Sequence, residues 1–183
     1  MKKFGLLHLL CLVCVLLFGC SGGDDKSLTK GPVTDPLAKL WATSTDVVYE
    51  VTKDNFEKKL KPVHQASLSL SNDKMVIQST GDDPYLHTTE KLDLKRPGRY
   101  LLKVRLSAPA NTQTQIFFGR PDTPFRENDS KTVNVYPGWN DIFFELPKPE
   151  TIIALRLDPG TVPGLYGLEE FAVKRVSQQN FPQ

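Results

Sequence analysis

Short runs of alternating hydrophobic and polar residues recur along the chain from about residue 46 to residue 176. Alternation with a period of two puts every second side chain on one face of a β-strand, so each run is typical of a half-buried strand. Turn residues separate the runs at near-regular intervals, which is typical of a sandwich or barrel. The pattern predicts strands at 46–51, 66–70, 74–79, 91–94, 99–107, 113–119, 131–136, 140–146, 152–157 and 170–176.

The alternation is clearest in the predicted strands 99–107 and 140–146. In the first of these, Lys103 and Arg105 are expected to face water. In the second, Asp141 and Glu145 are expected to do so. The side chains between them are expected to face the core: Tyr100, Leu102, Val104, Leu106, Ile142, Phe144 and Leu146.

Groups of Asn, Asp, Pro and Gly stand between the predicted strands at 71–73, 96–98, 136–138 and 158–160. These residues favour tight turns, because Pro fixes φ, Gly tolerates positive φ, and Asn or Asp side chains bond to nearby backbone. One short helix or turn is expected at 53–60, where Phe56 and Leu60 have helical spacing and Asp54 is a candidate cap. The chain is therefore predicted to be all-β, a two-sheet antiparallel β-sandwich.

The first twenty residues have the parts of an export signal. Lys2 and Lys3 precede an apolar run of about 15 residues, shorter than the about 20 that a membrane-spanning helix needs. Leu17-Phe18-Gly19-Cys20 resembles the lipobox of bacterial lipoproteins. The resemblance implies cleavage before Cys20, a lipid on its thiol, and a fatty acyl group such as palmitate on its new amino group. The alternative is an uncleaved signal anchor in which the cysteine is incidental.

The residues after Cys20 bear on where the protein is anchored in the cell envelope. Ser21 stands where an Asp would resemble the inner-membrane retention signal of lipoproteins, so the resemblance favours the outer membrane. The pair Asp24-Asp25 resembles acidic surface-export tags, although two carboxylates in a linker are more often only solvated. Residues 21–36 have the composition of a flexible tether. The predicted organisation is a signal peptide at 1–19, lipidated Cys20 and tether at 20–36, and a β-sandwich domain at 37–183.

Loss of the leader changes the charge and cysteine content of the chain. The 183 residues contain 23 Lys and Arg against 21 Asp and Glu, a formal net charge of +2. Removal of Lys2 and Lys3 lowers the number of basic residues from 23 to 21, which equals the number of acidic residues. The mature chain therefore has no net positive charge that would attract nucleic acid, and nucleic acid is not expected as a partner. Cys11 and Cys14 leave with the leader and Cys20 carries lipid, so no disulfide is expected.

No arrangement typical of a catalytic site is found in the mature sequence, and the protein is not expected to be an enzyme. Its histidines, His64 and His87, lie near no Gly-x-Ser-x-Gly turn and are interpreted as structural or surface residues. His or Cys clusters typical of transition-metal sites are absent from the sequence. A structural calcium stays open, because several aspartates lie near turns: Asp82, Asp83, Asp93, Asp122, Asp129 and Asp158.

Aromatic residues beside polar ones are the best candidates for a binding site. Sugars present CH faces that stack on aromatic rings and hydroxyl groups that need polar partners. Trp139 precedes Asn140-Asp141, and Tyr85 follows Asp82-Asp83, which is this composition. The alternative for Trp139 is a core or corner residue that holds a hairpin together. The candidate ligand-binding residues are Trp139, Tyr85, Asp83, Tyr136, Arg156 and Asp158.

Three stretches, at 79–86, at 115–119 with 125–127, and at 153–160 with Gly164 downstream, carry a resemblance to a known type of module. Their order resembles the galactose-binding-like β-sandwich (jelly-roll) modules attached to bacterial glycan-active enzymes, and Leu-Arg-Leu-Asp-Pro at 155–159 is the most specific piece. The resemblance covers about 68–176. It implies a carbohydrate site at loops on one end or on a concave sheet face, and in many members a structural calcium. Phe118 stands where such modules are expected to have a Trp.

Arg156 and Asp158 are expected on one strand face, where they either pair with each other or contact a ligand. Together these observations favour a lipid-anchored, non-catalytic envelope lipoprotein that binds carbohydrate. The alternative is a structural or interaction lipoprotein whose sheets or loops dock an envelope partner protein. A hydrolase is the third hypothesis, which two carboxylates converging in an open cleft would favour.

Overall fold

The computed structural model of the protein describes residues 35–121, 123 and 125–177. The predicted leader, Cys20, nearly all of the predicted tether and Asp122 lie outside these residues. The described helices are α1 (Pro36–Thr43), α2 (Phe56–Lys59) and two 3₁₀ turns at Glu127–Asp129 and Pro149–Thr151. The described strands are β1 (Asp46–Val51), β2 (Leu60–His64), β3 (Ala66–Ser71), β4 (Lys74–Ser79), β5 (Tyr85–Thr88), β6 (Arg99–Ala108), β7 (Thr112–Gly119), β8 (Ser130–Val135), β9 (Gly138–Glu145), β10 (Ala154–Asp158) and β11 (Gly164–Val176).

These strands form two sheets. Sheet A has the order β3-β4-β11-β6-β9, and β1 also pairs with β11. Sheet B has the order β2-β5-β10-β7-β8. Neighbouring strands in both sheets run antiparallel. The predicted fold class, an all-β antiparallel sandwich, is confirmed. Within the described residues, no helix has the length and apolar character needed to cross a membrane.

The main core lies between the inner faces of the two sheets. The seven side chains expected to face it from β6, β9 and the residue after β9 are buried, and Lys103 and Arg105 lie on the outer face. Buried tyrosines satisfy their hydroxyl groups locally: Tyr100 donates to the Arg96 carbonyl (2.9 Å) and Tyr166 to the Val162 carbonyl (2.6 Å). The core therefore holds aromatic side chains without leaving their polar atoms unpaired.

A second, smaller apolar cluster lies on the outer face of sheet A, under α1. Asp35 caps this helix by accepting from the Leu37 amide (2.8 Å), and Pro36 occupies its first turn. Trp41 is the buried residue of α1, with its ring centroid 6.3 Å from that of Phe143 on β9. The sequence analysis did not predict α1, although Leu37, Leu40 and Trp41 have helical spacing and Asp35-Pro36 is a typical helix start. Packing of Trp41 on the sheet supplies the stability that the short helix lacks by itself.

Several local elements differ between the prediction and the structure. Residues 91–94 do not form a strand; the Leu92 amide instead donates a single bond to the Ile153 carbonyl (2.9 Å), and Leu92 and Leu94 are buried as core residues. Strands β2 and β5 were not predicted. The predicted helix 53–60 is confirmed only as α2, whose N-cap is Asn55 rather than Asp54 and makes no side-chain cap bond.

We expect Trp41→Ala to lower the free energy of unfolding by about 3 kcal/mol, because it leaves a cavity between α1 and sheet A. Leu165→Ala is the matched control, since Leu165 lies on the outer face of the same sheet with 63% of its surface exposed. It should change stability by about 0.5 kcal/mol or less. Urea denaturation measures both, and equal effects would show that α1 is not anchored by Trp41.

Candidate functional site

The outer face of sheet B carries an arginine at its centre. On β10, Leu155 and Leu157 point into the core, so Arg156 between them points outward. The register places Arg156 opposite His87 of β5 on one side and opposite Phe117 of β7 on the other. Three neighbouring strands thus bring a cation and two rings onto one surface.

Arg156 is held by two carboxylates. Its Nε donates to Asp158 Oδ1 (2.7 Å) and its Nη2 donates to Asp158 Oδ2 (2.6 Å). The same Nη2 donates to Asp83 Oδ1 (3.2 Å). Among the described residues, Nη1 has no hydrogen-bond partner. The arginine is therefore fixed in place while two of its N–H groups remain for another acceptor.

The guanidinium also lies against two aromatic rings. Its Cζ is 3.7 Å from the centroid of Tyr85 and 4.5 Å from that of Phe117. These are cation–π distances, and they leave the Arg156 side chain only 17% exposed. Packing between rings explains why a residue with a full positive charge lies so close to the sheet.

Burial and pairing act in opposite directions on the pKa values of this pair. Burial raises the pKa of the Asp158 carboxyl above its usual value, and the hydrogen bonds from Arg156 lower it by a smaller amount. Burial by itself lowers the pKa of the Arg156 guanidinium, but the bonds to Asp158 and the charge of Asp83 raise it overall. Arg156 therefore stays charged, and its hydrogen bonds favour the ionised form of Asp158 against the opposing effect of burial.

Four rings form a row along this face, from β2 across β5 to the segment after β7. The centroid of His64 lies 5.5 Å from that of Tyr85 at an interplanar angle of 22°. Tyr85 and His87 lie 5.3 Å apart at 18°, and His87 and Phe125 lie 4.7 Å apart at 48°. The row gives the face a continuous aromatic strip beside Arg156.

Phe125 closes one end of the ring row by packing on the backbone of Gly119. A Cβ atom at Gly119 would lie 2.8 Å from Cε1 of Phe125, so only glycine lets the ring approach this closely. Phe125 also makes an edge contact with Phe117, at a centroid distance of 6.5 Å and an angle of 78°. The absence of a side chain at Gly119, the last residue of β7, therefore leaves space for the Phe125 ring.

A polar groove with a volume of about 340 Å³ lies beside Arg156. The groove has four carboxylates against one guanidinium. Gln115 connects the groove to the segment after β7, because its Nε2 donates to Glu127 Oε2 (2.7 Å) and to Ser130 Oγ (2.8 Å). The polar side chains that line the groove are Asp82, Asp83, Gln113, Gln115, Glu127, Thr132, Arg156, Asp158 and Thr161.

Four of the six predicted ligand-binding residues come together here: Tyr85, Asp83, Arg156 and Asp158. The other two lie elsewhere, so the six do not form one site. Trp139 lies on the outer face of sheet A, and Tyr136 is a 63% exposed residue in the turn between β8 and β9. Asn140, the polar neighbour of Trp139, holds that turn by donating from Nδ2 to the carbonyls of Tyr136 and Gly138 (2.8 Å each).

The sequence analysis did not identify several residues of the face: His64, His87, Phe117, Phe125, Gln113, Gln115 and Glu127. Both histidines were interpreted as structural or surface residues. Both stack on Tyr85, which is a structural role. Strand alternation gave one usable signal, because Phe118 in the core requires Phe117 to point outward. The position of Phe125 depends on a segment that has no regular pattern.

Among the described residues, no group of three or more His, Cys, Asp or Glu side chains is placed to hold a metal ion. The structural calcium named from the sequence stays a prediction, since carbonyl oxygens also bind calcium.

The sequence matches no protein-family model, and no curated protein resembles it significantly. Solved structures do resemble it in fold. A xylan-binding domain from carbohydrate-binding module family 22 matches with a TM-score of 0.54 at 14% identity, over 72% of this chain and 96% of that one. The C-terminal family 22 module of Clostridium thermocellum Xyn10B matches with a TM-score of 0.54 at 13% identity, over 72% and 95%.

The domain shares its two-sheet β-sandwich fold with these carbohydrate-binding modules. A third structure supports this, the module CBM6cm-2 of Cellvibrio mixtus lichenase 5A in complex with cellotriose. It matches with a TM-score of 0.50 at 10% identity, over 72% of this chain and 99% of that one. The resemblance to jelly-roll modules that the three sequence stretches indicated is therefore confirmed at the level of fold.

The ring row predicts a pH dependence of stability. Burial lowers the pKa of His87 below its usual 6.5, and the charges of Arg156 and Lys61 act in the same direction. Its Nε2 is also buried without a hydrogen-bond partner among the described residues. Below pH 6.5 the unfolded chain binds a proton at this imidazole before the folded chain does. The free energy of unfolding is therefore greatest above that pH and decreases as the pH falls below it.

We expect His87→Phe, which keeps a ring in the row, to lose less stability than the wild type between about pH 7 and pH 5. Urea midpoints measured across this range give the comparison, and an NMR titration of the imidazole gives the pKa directly. Parallel pH profiles for the two proteins would show that His87 titrates alike in the folded and unfolded states.

Proposed function

We propose that the protein is a non-catalytic module that binds a carbohydrate chain on the outer face of sheet B. The observation that carries this proposal is the position of Arg156. It is held between Tyr85 and Phe117, beside a groove lined with carboxylate and amide groups. An aromatic strip next to many hydrogen-bonding groups is the combination that a sugar requires, since each ring of a glycan has an apolar CH face and polar hydroxyl edges.

Each part of the face has a task in this proposal. Tyr85 supplies aromatic surface, and Arg156 Nη1 donates to a ring or hydroxyl oxygen. Asp83 and Gln113 line the groove and accept from hydroxyl groups. The excess of carboxylates over the single guanidinium favours a neutral glycan over one that carries uronate or sulfate groups. The structural neighbours support the proposal, because they include a xylan-binding domain and a module in complex with cellotriose.

Three of the four carboxylates in the groove, those of Asp83, Glu127 and Asp158, accept side-chain hydrogen bonds, which argues against a hydrolase. A glycosidase needs one carboxylic acid that holds a proton at the leaving oxygen. Both oxygens of Asp158 accept from Arg156, and Glu127 accepts from Gln115. Release of reducing sugars from xylan or β-glucan by the purified protein would contradict the non-catalytic assignment.

Affinity electrophoresis on soluble xylan and mixed-linkage β-glucan tests the proposal. We expect Arg156→Ala and Tyr85→Ala each to weaken retention at least tenfold in dissociation constant, about 1.4 kcal/mol. Arg96→Ala is the matched control, because Arg96 is also paired with an aspartate, Asp46 (3.0 Å), but lies outside the groove. Near-UV circular dichroism confirms that each variant remains folded.

Absence of glycan binding would favour a different function for this protein. No retention by any glycan, together with a stoichiometric protein partner that survives both substitutions, would favour the alternative function of docking an envelope protein. In that case the face of sheet B would be a structural surface rather than a binding site.

We also propose that Cys20 carries a lipid that anchors the protein in the cell envelope, in the outer membrane. Two or more acyl chains hold a protein durably at a bilayer. Cys20→Ala should abolish incorporation of radiolabelled palmitate and move the protein from the membrane to the soluble fraction. Cys14→Ala should leave both unchanged. Protease treatment of intact cells tests surface exposure, since only a surface-exposed domain is digested.

A further inference from the structure

Trp139 lies on the side of the sandwich opposite the groove of sheet B. It is the second residue of β9, where the register pairs it with Ser107 of β6. Ser107 in turn pairs with Gly167 of β11. The three residues therefore form a row across three strands on the outer face of sheet A, and two of the three are small.

The indole of Trp139 extends over the small residues of this row. A Cβ atom at Gly167 would lie 3.0 Å from Cη2 and 3.5 Å from Cζ2 of the indole. The ring thus reaches from β9 across β6 to the backbone of β11, which places it against the sheet rather than upright in solvent. Even so, 43% of Trp139 is exposed, whereas Trp41 under α1 is 6% exposed. Part of a broad aromatic ring that lies against the sheet is therefore accessible to solvent.

A groove of about 340 Å³ lies beside the indole, and we call it the Trp139 groove. It forms where β11 changes partners along one edge: β4 pairs with Gly164–Leu168 and β1 pairs with Phe171–Arg175. Val51, Met75 and Leu168 give the groove an apolar floor. Its polar rim consists of Glu50, Thr52, Lys53, Asp73, Lys74, Glu169 and Glu170.

We propose that the Trp139 groove is a second carbohydrate-binding site, in which a sugar ring stacks on the exposed side of the indole. The proposal goes beyond the function assigned to sheet B, because it places an independent site on the other sheet. The CH face of the sugar covers the indole and the apolar floor, and its hydroxyl groups meet the carboxylates and ammonium groups of the rim.

The surroundings of the indole favour a small hydroxylated ligand over a protein partner. The groove volume is within the range of about 300–1,000 Å³ that is typical of small-ligand sites, whereas a stable protein interface buries about 800 Å² on each partner. Arg105 is ion-paired with Asp141 and with Glu169 (2.6 Å each), and its Cζ is 5.6 Å from the indole centroid. A protein partner would remove these charges from water, whereas hydroxyl groups can bond to them.

Two sites on opposite sheets would let one molecule bridge two glycan chains. Binding through both sites at once raises avidity without new contacts at either site. A module with the sheet B site alone would bind a chain but could not connect it to another.

Tryptophan fluorescence tests the second site, because the chain has two tryptophans and one is buried under α1. In Trp41→Phe, Trp139 is the only fluorophore of its kind. We expect soluble xylan or cellotriose to change its emission, and to do so equally after Arg156→Ala is added to disable the face of sheet B. Gly167→Val, which pushes the indole away from the sheet, should weaken the response at least tenfold in midpoint.

Turbidity of long xylan chains tests bridging. The wild type should precipitate the chains. Trp139→Ala or Arg156→Ala alone should abolish precipitation, although each variant still binds xylan through its unaltered site. Trp139→Phe is the conservative control and should retain most of the effect, since it keeps a stacking ring.

The outcomes separate the two proposals. Retention that depends on Arg156 without any change in Trp139 emission would overturn the second site and leave the first intact. A Trp139 response with retention insensitive to Arg156→Ala would support the second site and overturn the first. A Trp139-dependent protein partner with no response to either glycan would overturn the assignment of this groove to carbohydrate.

Discussion

A strand inside a sheet must satisfy its backbone amide and carbonyl groups along both edges. For β11 this constraint organises the whole of sheet A. The strand has 13 residues, more than any of its neighbours, and β6 pairs with it from Gly167 to Val176 along one edge. Two shorter strands, β4 and β1, share the other edge. The change of partner between them leaves the Trp139 groove, so a requirement of backbone pairing produces a candidate site.

Sheet B is organised by a different requirement, the cost of holding a charge close to a sheet among aromatic rings. Arg156 meets it with two hydrogen bonds to Asp158 and a third to Asp83. Asp158 depends on the pair as well, because burial raises the pKa of its carboxyl and the hydrogen bonds from Arg156 oppose that rise. Removing either partner leaves an uncompensated charge, which is more costly than removing both.

The sequence was sufficient for what depends on periodicity. Strands with one buried face, such as β6 and β9, were predicted with the correct side chains inward, because alternation is a direct record of which face meets the core. The short segments were harder. Residues 91–94 have the composition of a strand but make one backbone bond to Ile153, and α1 is stabilised by the distant contact of Trp41 with Phe143. Contacts between residues far apart in sequence decide both cases.

The candidate site shows the same division. Leu-Arg-Leu-Asp-Pro at 155–159 marked Arg156 and Asp158, because a period of two puts both on one strand face. Their meeting with Tyr85 and Asp83 depends on the register between β5 and β10, which no local pattern specifies. Trp139 and Tyr85 have similar neighbours in sequence yet lie on opposite sheets. Local composition identified residues suited to binding, and only the topology divided them into two surfaces.

The pairing of β1 with β11 has a further consequence for how the domain can be joined to other chains. Asp46, the first residue of β1, lies opposite Arg175, near the end of β11, and the two side chains form an ion pair (2.7 Å). The start of the first strand and the end of the last strand therefore meet at one point of sheet A. A domain with adjacent ends can be inserted into a loop of a host protein or circularly permuted with a short linker, without cutting either candidate site.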